Sequence, residues 1–271
     1  YINRNEIESQ EDEELWILLY NMKYLFLLFL FSTQVLFSQQ DSPHTKIQLP
    51  IDSDTTNDFI IERPQYVISY NLSLNVANWA SWELDSSSYG SIQRFEDGFL
   101  TETKLPKKAK RVSSSSYNYS GFDRGHLVRS EERTASVKDN RATFYMSNIV
   151  PQTPDLNRGV WYDFEKWCEK MCKDSSKVLY VIAGGIYKSG KKVNNLISIP
   201  DSCYKIVVVV SPGEEVTKDT RVEAVIIPNV QGIKFDKWKK YKCTVNDIEI
   251  STGFSFLNKL PKTIQVELKR K

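Results

Sequence analysis

Runs of β-branched and aromatic residues follow one another from Pro64 onward without alternating strictly with helical segments. Residues 66–70 (YVISY), 79–84 (WASWEL), 142–147 (ATFYMS), 178–183 (VLYVIA), 204–210 (YKIVVVV) and 221–227 (RVEAVII) each have the length and composition of a strand, with extended character also over 92–95. Helical periodicity is confined to two places. Over 158–173, Trp161, Phe164, Cys168, Met171 and Cys172 form an apolar stripe; over 245–252, a shorter helix ends at Gly253, where a left-handed cap needs no Cβ. Successive strands point to an α+β fold, a mainly antiparallel central β-sheet flanked by helices. With 271 residues, 41% of them hydrophobic, the chain can bury the core of one large domain or two small ones. No internal repeat and no linker divides residues 64–271.

The N-terminal part has a different character. Residues 22–38 read as a secretory signal peptide: Met22, Lys23, the apolar run 24–31 (YLFLLFLF) and a small residue, Ser38, for cleavage. The alternative is an uncleaved anchor over 15–37, a span of about the ~20 residues a bilayer requires. Asn21, Lys23, Ser32, Thr33 and Gln34 interrupt that span, and its acidic flank opposes the positive-inside tendency. Residues 1–21 are expected to be an upstream extension, 39–63 a polar flexible leader, and 64–271 the folded domain. The expected location is secreted or periplasmic, with no stable membrane insertion after signal cleavage.

Charge follows the same division. The whole chain carries a net +2, residues 1–38 a net −4, and the remainder a net +6. A moderately basic protein favours a polyanionic partner without specifying one. The four cysteines, Cys168, Cys172, Cys203 and Cys243, permit disulfides in an oxidising compartment, while the helical stripe equally suits Cys168 and Cys172 as buried thiols. Their spacing matches no zinc pattern.

Only two histidines are present, His44 in the leader and His126, so a histidine-cluster metal site is excluded. Gly185 to Lys191 approaches a phosphate-binding loop, but Lys192 stands where a hydroxyl should meet Mg²⁺, and the segment reads as a turn. His126 lies in GFDRGHL (121–127), with a cation two residues before the imidazole. A second constellation runs through SNIVPQ (147–152) and DLNRGVW (155–161) to Glu165. A helix beginning beside Asn157 would align Asn157, Trp161 and Glu165 along one ridge, at i, i+4 and i+8. Taken singly, each residue has an ordinary reading: a structural histidine, a helix cap at Asn157, a solvated Glu165.

Together these segments resemble the DNA/RNA non-specific endonucleases of the ββα-metal (His-Me finger) class. DRGH at 123–126 matches the family signature, and Asn148, Pro151-Gln152, Leu156-Asn157, Trp161 and Glu165 match its second motif without gaps; the resemblance extends over about 64–260, including Glu249 and Thr252-Gly253. It implies a ββα-metal finger carrying the active site and a metal-dependent endonuclease that leaves 5′-phosphates. His126 would be the general base, for which a near-neutral imidazole is suited if a neighbouring carbonyl fixes its tautomer. Asn157 would be the metal ligand, holding Mg²⁺ with Mn²⁺ able to substitute, since Mg²⁺ keeps several waters and needs few protein oxygens. Glu165 would orient water at the metal, and Arg124 would bear on the phosphate. Arg94, 32 residues before His126, stands about where the family has a phosphate-binding arginine that stabilises the transition state. Asn148 helps hold the site and Asp123 is structural, with either available for direct contact. The implied partners are DNA and RNA, held through phosphate contacts without base readout. Lys107, Lys108, Lys110 and Arg111 would widen that footprint or simply form a solvated loop. The alternative function is a catalytically silent nucleic-acid-binding surface module of the same fold.

Overall fold

The computed structural model describes residues 42–271 apart from 53, 55 and 57. The expected upstream extension and signal peptide lie outside the described residues. A seven-stranded sheet forms the frame, from β1 (Asp58–Arg63), β2 (Tyr66–Asn71) and β3 (Val76–Leu84) through β6 (Val178–Ile186), β9 (Ser202–Val210), β10 (Arg221–Pro228) and β11 (Lys242–Cys243). Spatial order equals chain order, and every neighbouring pair is antiparallel. Between β3 and β6 the chain forms a separate antiparallel pair, β4 (Asp123–His126) with β5 (Ile149–Gln152); a short pair, β7 (Lys192–Val193) and β8 (Ile197–Ser198), precedes β9. The helices are α1 (Val137–Ala142), α2 (Trp161–Lys173), α3 (Val245–Thr252) and α4 (Lys262–Lys269).

The sheet is covered on both faces, which is why its central strands read as nearly continuous apolar runs. Side chains along β9 alternate between the two cores. Cys203, Val207 and Val209 join one core with Phe164, Cys168 and Cys172 of α2; Tyr204, Ile206, Val208 and Val210 join the other with Val245 and Ile248 of α3 and Leu268 of α4. By the same alternation Lys205 falls on the α2 face. Helix α3 begins at Thr244, whose hydroxyl accepts the Asp247 N–H at 3.1 Å, and ends at Gly253 with φ 80°, as its sequence predicts.

Several expectations require correction. Within the expected leader 39–63, residues 58–63 form β1, which extends the sheet by pairing with β2, and Arg63 closes on the buried Glu102 at 2.6 Å. His44 is buried, its Nε2 2.8 Å from the Pro64 carbonyl and its Nδ1 accepting the Glu83 N–H at 3.1 Å. Polar composition misled here because β1 lies at the sheet edge, where half-exposed polar residues are tolerated. Residues 142–147 do not form a strand. Ala142 closes α1, whose cap Ser136 accepts the Asp139 N–H, and Met146–Asn148 is a 3₁₀ turn. The strand is 149–152, and its Pro151 is compatible with a two-stranded pair. Residues 92–95 have no regular structure, and α4 was not anticipated. The four cysteines are free thiols, with Cys168, Cys172 and Cys203 buried.

Candidate active site

In β4, residues two apart share a face, so Arg124 and His126 point together while Gly125 points away. At Gly125 the opposite face is filled by Gln152: a Cβ there would lie 2.1 Å from Oε1 and 2.7 Å from Cγ of that buried side chain. The exposed face opens on a cleft of about 360 Å³. Arg94, Arg124 and His126 line one wall, and Asn157, Arg158, Tyr162 and Glu165 the other, with Arg129, Ser130 and Glu131 between them.

The sequence between Gln152 and Glu165 does not form a single α-helix. Leu156–Val160 makes a π-helical turn in which Gly159 has φ −118°, ψ −106°, and α2 begins only at Trp161. Gly159 is pressed against the backbone of Lys234, whose carbonyl oxygen would be 2.4 Å from an added Cβ. The wider turn sends Trp161 into the core and leaves Asn157 and Glu165 on the cleft. The expected single ridge of three residues is therefore wrong for Trp161. Glu165 is not solvated either; it is 6% exposed.

Asn157 does not act as a simple cap. Its Nδ2 donates to Asp123 Oδ2 at 2.9 Å, and Asp123 also receives Nε and Nη2 of Arg158 at 2.7 and 2.6 Å. Tying the amide nitrogen leaves the carboxamide oxygen without a partner among the described residues, the orientation a hard divalent cation requires. No group of three or more His, Cys, Asp or Glu among the described residues is placed to hold a metal. A cation here would depend on Asn157, water and substrate oxygens, and the donor set fits Mg²⁺.

His126 is held by aromatic rings. Its ring centroid is 5.5 Å from Phe99 and 5.2 Å from Phe144, the latter edge-on, and its Nε2 is buried without a hydrogen-bond partner. Burial, reinforced by the positive charge of Arg94, pushes the imidazole down to about 3, so it is neutral at neutral pH. The anticipated carbonyl partner for the ring is absent among the described residues; packing, not a hydrogen bond, sets its orientation. Arg94 sits 4.9 Å from the Phe144 centroid and pairs with Glu131 at 3.2 Å. Arg124 reaches the cleft but donates to the Ser114 carbonyl at 3.1 and 2.7 Å, which fixes its direction.

Asn148 does not reach the cleft. Its Oδ1 accepts the Val128 N–H, its Nδ2 donates to the carbonyls of Val128 and Thr143, each at 2.9 Å, and its own carbonyl accepts the Leu127 N–H at 3.0 Å. Every polar atom is committed to pinning the chain just after His126, so a direct catalytic contact is excluded. Arg111 is similarly committed, to the carbonyls of Glu102, Leu105 and Pro106, while Lys107, Lys108 and Lys110 are exposed.

The residues that sequence reasoning missed surround Glu165. Arg129 Nε lies 3.6 Å from Glu165 Oε2 and 3.1 Å from Glu131, and its Nη1 is 3.2 Å from Glu169. Lys205 Nζ lies 3.8 Å from Glu165 Oε1. Burial pushes the Glu165 carboxyl up to about 7 against the attraction of Lys205 and Arg129. A lone lysine inside an otherwise apolar strand was the available signal for Lys205.

The family model for DNA/RNA non-specific endonucleases matches residues 41–263. A nuclease of Nostoc sp. is 41% identical over 221 residues, 80% of each chain. Nuclease C1 of Cunninghamella echinulata is 29% identical, covering 77% of this chain and 86% of that protein; human mitochondrial endonuclease G is 26% identical, covering 72% and 68%. The crystal structure of the EndoG/EndoGI complex superposes with a TM-score of 0.66 at 23% identity, over 76% of this chain and 88% of that one, and shares the fold. With the strand–strand–helix finger in place and the match spanning most of its length, the chain belongs to the DNA/RNA non-specific endonuclease family of nucleic-acid hydrolases.

Proposed function

We propose that the protein is a divalent-metal-dependent endonuclease that hydrolyses phosphodiester bonds of DNA and RNA without strong sequence preference, leaving 5′-phosphates. The observation that carries this reading is the meeting of a neutral His126 imidazole and an Asn157 whose amide is tied back to Asp123 in one cleft. His126, through Nδ1, the ring nitrogen not sealed in the aromatic packing, takes a proton from a water molecule as that water's oxygen bonds phosphorus. The P–O3′ bond then breaks, and the 3′ oxygen takes a proton from solvent. A divalent cation held by Asn157 Oδ1 would neutralise charge on the phosphate and act as Lewis acid toward the departing oxygen. Glu165 accepts hydrogen bonds from water in the cleft and orients it. Arg94 and Arg124 bear on the phosphate, and Asp123 holds Asn157 in place. None of these groups addresses a base edge, which accounts for the lack of sequence preference.

The purified protein is expected to degrade plasmid DNA and RNA with Mg²⁺ or Mn²⁺ and to stop with chelator. Binding to DNA at low salt with no cleavage under any divalent metal would instead select the silent binding module. The protein is also proposed to be secreted or periplasmic, on the strength of the signal-peptide pattern at 22–38. N-terminal sequencing of the mature protein from the exported fraction tests this: a terminus near residue 39 supports export, and an intact N-terminal segment in the cytoplasmic fraction opposes it.

A further inference from the structure

Lys205 is the anomaly of the central sheet. It is 1% exposed, on β9 between Cys203 and Val207, in a strand whose other side chains form the two apolar cores. A buried ammonium persists only where an opposite charge compensates its lost hydration. Its Nζ lies 4.2 Å from the Trp161 ring centroid, 5.7 Å from Phe164 and 5.9 Å from Trp82, so aromatic faces surround it. Glu165 is the one carboxylate paired with it among the described residues.

Arg129, the other cation on Glu165, differs in kind. It arrives from the segment after β4 and divides its guanidinium among Glu131, Glu165 and Glu169. Glu131 and Glu132 from that same segment disfavour the ionised form of Glu165. From its own helix come Glu169, already engaged by Lys166 and Lys173, and the buried thiol of Cys168. Lys205, from beneath, pairs within 4 Å only with Glu165 among the described residues, and its charge also favours the ionised form of the buried Glu132 beside it.

We infer that Lys205 is a positioning residue of the site: from the sheet beneath the cleft it favours the charged form of the Glu165 carboxylate and turns it toward the water that His126 deprotonates. The role of that water rests on the proposed nuclease reading; the coupling of Lys205 to Glu165 does not. A carboxyl without its cationic neighbour retains its proton to higher pH, loses acceptor capacity, and swings with fewer constraints.

The test uses ¹³C-carboxylate NMR on the metal-free full chain, with the Glu165 resonance assigned by its loss in Glu165→Gln. In Lys205→Met, which conserves volume against Trp161, the Glu165 midpoint should rise by about 1 pH unit or more, and the acid limb of nuclease activity should rise with it. Arg129→Gln should move the midpoint less. An unchanged midpoint in folded Lys205→Met overturns the inference. If Lys205→Met does not fold, Glu165→Gln/Lys205→Met removes both charges together: recovery of a folded protein with a cooperative melt supports the coupling, and a double variant that is equally unfolded refutes it. A raised midpoint in a protein that cleaves nothing would leave the coupling standing and sink the nuclease reading alone.

Discussion

The two walls of the cleft bury their titratable groups in opposite settings. On the strand wall, His126 lies between Phe99 and Phe144 with Arg94 nearby, and no carboxylate pairs with it among the described residues. On the helix wall, Glu165 has two cations within 4 Å, Arg129 and Lys205. Burial is common to both, yet it disfavours the cation on one wall and the anion on the other. The strand wall therefore presents a neutral imidazole. The helix wall holds a carboxyl pushed up to about 7, within reach of proton exchange at working pH. Active-site carboxyls and imidazoles with displaced titration are expected where acid–base work is divided between neighbours.

The largest expected effect breaks the strand wall. His126→Ala should lower kcat by roughly 10²- to 10⁴-fold, with circular dichroism unchanged; full activity would remove the general-base role. Next comes the helix wall: Asn157→Ala should cost roughly 10²- to 10³-fold at fixed Mg²⁺, the loss expected when several kcal/mol of charge stabilisation goes. Asp123→Ala, which frees the Asn157 amide and the Arg158 guanidinium together, should raise the Mg²⁺ concentration for half-maximal activity about 10- to 100-fold. Equal metal response in wild type and Asp123→Ala would show that the amide needs no such restraint.

A third test concerns the turn that separates the walls. Gly159→Ala places a Cβ against the Lys234 backbone and should destabilise the fold by about 1–3 kcal/mol, measured by urea denaturation. The smallest effect is in stability against pH. His126, depressed to about 3, binds fewer protons folded than unfolded between about 3 and 6.5, so it makes stability rise with pH there. Glu165, raised to about 7 from 4.5, binds more protons folded, so it makes stability fall as pH rises from 4.5 to 7. Relative to wild type, Glu165→Gln should steepen the rise of stability with pH, and His126→Ala should flatten or reverse it. The same slope in all three proteins would mean that neither environment is as drawn.

Much of this was legible in advance, for local reasons. Arg124 and His126 share a face because alternation in a strand is fixed by backbone geometry, and the apolar stripe of α2 follows helical period. Asn148 was half legible: its matching position was seen, but not that its amide would be exhausted on Val128 and Thr143. The polar segment 42–63 failed because edge-strand residues face water on one side and look like loop. The strand expected at 142–147 failed because Phe144 packs edge-on against His126 and Tyr145 makes only an isolated bridge, to Leu100, instead of a ladder.

By itself the sequence determined the antiparallel α+β frame and the family motifs, with His126, Asn157 and Glu165 among their residues. Periodicity and short-range spacing carry that information within one element. Tertiary structure alone decided that a π-helical turn would send Trp161 inward, that Asp123 would orient an amide 34 residues away, and that Lys205 would lie under Glu165 across 40 positions of chain. Those contacts depend on how strand, turn and helix dock, and a desolvated charge takes its value from neighbours that only docking supplies.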